Sequence, residues 1–123
     1  MTKIIKLALT ASLFLGSTMA LACDYPDRPQ MPDGSTASKD DLLAAKADVQ
    51  AYVAAVDEYL TCTESEEQAA IDVLDSPSRK ELQRRDDMLS KKFDAANEEK
   101  ALVGEQFNQQ IRAYNKKLQD AKE

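Results

Sequence analysis

Apolar residues recur along most of this chain at the spacing of an α-helix. Leu42, Ala45, Val49, Tyr52, Val53, Val56 and Leu60 form one stripe, mostly at steps of three and four, with polar residues between them. Ser38 stands before the stripe as an N-cap, and Asp41 three residues later completes a capping-box variant. The stripe weakens from Thr61 to Gln68 and resumes at Ala70, Ile71 and Leu74. The pattern predicts a helix from Ser38 nearly to Asp75, with Thr61 to Ser65 as the place for a local irregularity. Asp75-Ser76-Pro77 then ends one element and starts another, with Ser76 as cap and Pro77 at the first helical position. Leu82, Leu89, Phe93, Ala96, Val103, Phe107, Ile111, Tyr114 and Leu118 follow at steps of seven, four and three, the spacing of coiled-coil packing. Gly104 lies inside this run, costs about 1 kcal/mol relative to Ala, and reads as a close-packing position. The second helix is expected to run almost to Glu123.

Two long amphipathic helices joined by a tight turn make an antiparallel hairpin, so the expected class is all-α. Charges favour one register: folding about Ser76 sets Glu67 opposite Arg85 and Asp72 opposite Lys80. At the far end it brings Asp40 and Asp41 near Arg112 and Lys116. Each exposed pair is worth only about 0–1 kcal/mol, so such pairs choose orientation more than they add stability.

Residues 23–37 have a different character. Pro26, Pro29 and Pro32 repeat every third position, the period of polyproline II, and Asp33-Gly34 marks a turn. This segment reads as a stiff extended strap along the hairpin rather than as a ligand for a proline-recognising domain. The chain thus divides into a leader at 1–22, a proline-rich strap at 23–37 and a helical hairpin at 38–123.

The leader has the parts of an export signal. Lys3 and Lys6 give a positive start, Leu7 to Leu15 is largely apolar, and Ala20-Leu21-Ala22 places small residues for cleavage between Ala22 and Cys23. The apolar run is too short for the roughly 20 residues that cross a bilayer, and no second apolar stretch follows. The expected location is the periplasm. Cys23 then has two fates. It can pair with Cys62, since the count is even and the compartment oxidising. It can instead carry a lipid anchor, although Ala20 and Leu21 reverse the usual lipoprotein order. Reach permits the pairing: about 46 Å of polyproline II from Cys23 to Ser38 exceeds the roughly 36 Å of helix from Ser38 to Cys62.

Composition narrows the chemistry. The 123 residues hold 16 Lys+Arg against 22 Asp+Glu, with no His and no Trp. Loss of the leader leaves 14 basic against 22 acidic residues, a net charge of −8. Missing His removes the usual neutral-pH general base and the commonest metal ligand. The acidic balance argues against a nucleic-acid partner. Glu64, Glu66 and Glu67 lack the glycine turn of a calcium loop and read as a solvated face. Asp86-Asp87 and Glu98-Glu99 lack the walled pocket that separates catalytic pKa values. Arg79, Lys80, Arg84 and Arg85 are the one basic patch, expected to pair with the first helix's acids. Tyr25, Tyr52, Tyr59 and Tyr114 read as core-edge residues. No catalytic, cofactor or metal set emerges, and nothing names a small-molecule ligand.

The stretch Cys23-Asp-Tyr-Pro26-Asp-Arg-Pro29 through Pro32-Asp33-Gly34, the caps around Ser38, and Tyr59-Leu60-Thr61-Cys62 resemble a group of small exported proteobacterial helical proteins. That resemblance implies an architecture and no activity. The hairpin is more loosely similar to small periplasmic chaperones. The Leu-Thr-x-x-Gln repeats of one such family are absent, and the basic surface of the trimeric outer-membrane-protein chaperones is reversed here. The expectation is a non-enzymatic protein that works through a protein partner or self-association, with Met88 and Leu102 left beside the main apolar row. A holdase for unfolded envelope proteins and a lipoprotein anchored at Cys23 are the alternatives.

Overall fold

The computed structural model describes residues 23–123; the leader at 1–22, with Ala22 of the expected cleavage site, lies outside the described residues. Two helices pack against each other: α1 (Lys39–Asp72) and α2 (Arg79–Asp120). The chain is therefore an all-α helical hairpin, and none of its described helices is long and apolar enough to cross a membrane.

The caps explain where the helices begin. The Ser38 hydroxyl accepts from the Asp41 N–H at 3.1 Å, and the Asp41 carboxylate accepts from the Ser38 N–H at 2.8 Å. This reciprocal box satisfies two donors that helix geometry leaves orphaned. α2 starts later than the sequence predicts. Ser76 has φ 52, a left-handed conformation incompatible with the extended N-cap. The cap is Ser78 (φ −68, ψ 153), whose hydroxyl accepts from the Glu81 N–H at 3.1 Å. Pro77 therefore precedes the helix instead of opening it.

The irregularity expected between Thr61 and Ser65 does not occur. The hydroxyls of Thr61, Thr63 and Ser65 each donate to the carbonyl four residues back, at 3.0, 2.9 and 3.1 Å. These bonds let hydroxyl side chains stay in the helix with their polar atoms satisfied. Thr63 is buried as a result of facing α2. Gly104 also leaves α2 unbroken, but it is not closely packed: a Cβ placed on it would meet nothing within 4 Å.

The core is short relative to the helices. Tyr52, Val56 and Leu60 of α1 meet Ala96 and Val103 of α2, with Met31, Val49, Tyr59 and Phe93 packed around them. Met31 belongs to the strap, so the proline-rich segment completes the core rather than decorating it. That is the physical need it meets: two helices alone bury too little apolar surface for a secure fold.

Candidate functional site

The strap runs from the middle of α1 back toward its start, in the groove between the helices. At its head, Cys23 and Cys62 sit at disulfide distance, with Cα atoms 5.7 Å apart. Tyr25 stands next. Its ring meets Tyr59 edge to face at 4.9 Å between centroids, and its hydroxyl lies 3.2 Å from that of Tyr52. Burial and the Tyr52 hydrogen bond push the Tyr25 phenol up to about 12. Arg28 then pairs with Glu99 of α2.

The strap's tail is pinned to α2. Asp33 closes an Asx turn, its carboxylate accepting from the Ser35 N–H at 2.9 Å and the Ser35 hydroxyl at 2.6 Å. Those bonds hold the Asp33 carboxyl below the usual carboxylate range. Gly34 is buried and its N–H donates to Gln110 Oε1 at 2.9 Å. Ala37 is also buried, and its carbonyl accepts from Lys117 Nζ at 2.5 Å. Lys117 in turn lies 4.7 Å from the Tyr114 ring centroid, a cation–π contact.

The ion pairs fulfil the expected register in part. Arg85 meets Glu67 at 3.0 Å as predicted, with its Nε buried and unpartnered. Asp72 instead accepts from Gln68, four residues back on its own helix, at 2.8 Å. Arg112 turns to Glu105 and Lys116 to Asp120, both within α2, rather than to Asp40 and Asp41. Lys100 bridges to Asp57 at 2.5 Å, a cross-helix pair that charge counting near the turn did not reach.

Of the other candidate groups, Glu99 is committed to Arg28 and Asp87 accepts from Gln83 at 2.9 Å, while Asp86 and Glu98 are exposed. Glu64 and Glu66 are exposed too. Among the described residues, Cys23, Cys62 and Glu66 form the one group whose ligand atoms cluster, within 4.8 Å. A disulfide leaves neither sulfur as a thiolate, so the cluster then offers a metal only one carboxylate.

The face away from the strap is open. Leu43 and Leu118 are exposed there, as is Val73 at the turn, whereas Met88 and Leu102, each seven residues from Ala95 beside Tyr25, are exposed on the strap side of α2. A shallow groove of about 360 Å³ runs between the start of α1 and the end of α2, lined by Leu42, Leu43, Phe107, Ile111 and Tyr114 with Lys39 and Lys46 at its edge. A second lies between Glu64 and Leu89, Phe93 and Asp94. Geometry thus defines a class, a hairpin strapped on one side with apolar helix surface bare on the other. No protein-family model, curated protein or solved structure matches the chain.

Proposed function

We propose that this is an exported, non-enzymatic periplasmic protein that acts by presenting helical surface to a protein partner. The observation that carries this reading is the bare apolar face opposite the strap, where Leu42, Phe107 and Ile111 line a groove that none of the described elements covers. The paired Cys23 and Cys62 support an oxidising compartment. They also oppose the lipid-anchor alternative, because acylation would consume the Cys23 sulfur that the pairing uses. Shallow grooves without a set of convergent polar groups favour binding over catalysis.

A photo-crosslinking residue at Leu43 in living cells tests the reading. Discrete crosslinked species are expected from Leu43 and none from Asp48, five residues on and across α1 from it, both exposed. Equal labelling at the two positions, or none at either, refutes it. Intact mass with and without reductant tests the compartment: a chain beginning at Cys23, two hydrogens lighter and closed to alkylation until reduced, is the expected result.

A further inference from the structure

The hairpin has two long faces, and the seven- and eleven-residue steps that share a helix face separate them. Strap contacts on α2 fall at Glu99, Gln110 and Lys117. On the bare face, Lys46 and Glu64 of α1 line the two grooves, with the Asp57–Lys100 ion pair between them. Phe93 and Gly104 of α2 sit on that same face, eleven residues and three turns apart.

Three observations select an occupant. Charge is the first: one end of the bare face carries Lys39 and Lys46, and the other carries Glu64 and Asp94. A surface basic at one end and acidic at the other complements itself when turned end for end. Gly104 is the second. It weakens α2 by about 1 kcal/mol, yet nothing in its own chain approaches within 4 Å of where a Cβ would stand. The third is register. Lys46 and Glu64 are centred on Ala55, and Phe93 and Gly104 are centred between Glu98 and Glu99. The Lys117 bond to the Ala37 carbonyl sets Ala55 level with Glu99, within a turn of what the Asp57–Lys100 and Glu67–Arg85 pairs give. A single two-fold axis therefore serves both helices.

We propose that a second copy of this chain docks antiparallel on the strap-free face. Lys46 then meets Glu64 of the second copy, and the Phe93 ring seats over its Gly104, where a side chain would block it. The reading deepens the proposed function and rests on it. The overlap is about 40 Å long and two helices wide, about 800 Å² on each copy, the size of a standard specific interface.

Sedimentation velocity on the full-length expressed, oxidised protein at about 100 µM tests it. The expected wild-type mass is that of two chains. Gly104→Gln keeps or raises helicity, since nothing surrounds the position, yet weakens the dimer at least tenfold. Lys46→Glu weakens it severalfold, and adding Glu64→Lys restores it. Wild type sedimenting as one chain overturns the proposal, as does a dimer indifferent to Gly104→Gln or a charge swap that fails to restore. The Leu43 crosslinks separate the two readings: crosslinks to a different protein from a monomeric chain overturn the self-pairing alone, and no crosslinks at all overturn both.

Discussion

Replacing Gly34 by Ala puts the strap's seat on α2 to a direct test. Gly34 is buried, its N–H donates to Gln110 Oε1 at 2.9 Å, and its φ is not positive. Its backbone conformation is thus open to alanine, and on that ground alone the substitution would stabilise by about 0.4–1 kcal/mol through the unfolded chain. Space decides the sign. A Cβ at this position would lie 2.7 Å from the Gln110 carbonyl carbon and 3.0 Å from its Cα, and closer still to the carbonyl oxygen. These are helix backbone atoms and cannot swing aside. The strap must lift by about 1 Å to restore ordinary contact. Lifting strains the local packing by about 1–3 kcal/mol and stretches the Gly34–Gln110 hydrogen bond, worth about 1 kcal/mol. The Lys117 bond to the Ala37 carbonyl is also put at risk. The net expectation is a loss of about 2–3 kcal/mol, which lowers the melting midpoint by about 10 °C for a domain of this size. Urea denaturation followed by circular dichroism measures it. A Gly34→Ala protein as stable as wild type, or more so, refutes the close approach.

Gly104→Ala is the opposite case: with nothing within 4 Å, it should stabilise the chain by about 0.5–1 kcal/mol when measured at about 1 µM, and a loss of stability would mean that the position is occupied. Cys62→Ser should cost about 4 kcal/mol, because the pair closes a loop with a sequence separation of 39; a cost below about 1 kcal/mol in urea titration would mean that the strap holds without it. Tyr25 should ionise near 12 in an ultraviolet pH titration. Its folded value lies above the unfolded 10.0, so its contribution is full below pH 10 and is lost as pH rises toward 12, loosening the strap; Tyr25→Phe should remove that late phase. At the acid end, the Ser38–Asp41 box and the Asp33 turn hold both carboxyls below their usual range, so their stabilisation is present above about pH 4 and fades below it. Asp41→Asn should blunt that acid dependence.

The two helices, the α1 cap and the strap's extended character were legible in the sequence because each follows from local spacing. Helical period, a Ser-x-x-Asp box and a proline every third residue need no tertiary knowledge. The Glu67–Arg85 pair was legible as well, because it lies close to the turn and register error has little room to grow. Errors appear where the outcome depends on a competing partner. Asp72 had a same-helix Gln68 in reach, and Arg112 had Glu105. Ser76 and Ser78 both look like caps in one dimension, and only the left-handed φ of Ser76 separates them. Glycine is the hardest to read. Gly34 looked like a turn residue and is one, but it is a contact point as well, whereas Gly104 looked like a contact point and faces open space. A missing side chain marks close approach, but the sequence does not say which surface approaches.

That ambiguity bears on how the fold relates to the candidate surface. A hairpin of two amphipathic helices offers its apolar seam to solvent along two sides, and covering both would need two further elements. The described residues supply one. The strap brings Tyr25, Met31 and Ala37 onto one side, and the spacing of Pro26, Pro29 and Pro32 keeps it extended at low entropic cost. On the other side the same seam stays bare, with Leu43 and Leu118 about half exposed. The asymmetry is costly for a protein that stays alone, since apolar surface in water contributes nothing to stability and invites association. Polar substitution at a few exposed positions would have removed that liability without touching the core at Val56 and Val103, which are fully buried. On the proposed reading the bare face is a surface kept apolar for the partner it meets, and the strap's fixed position leaves that side of the hairpin for it.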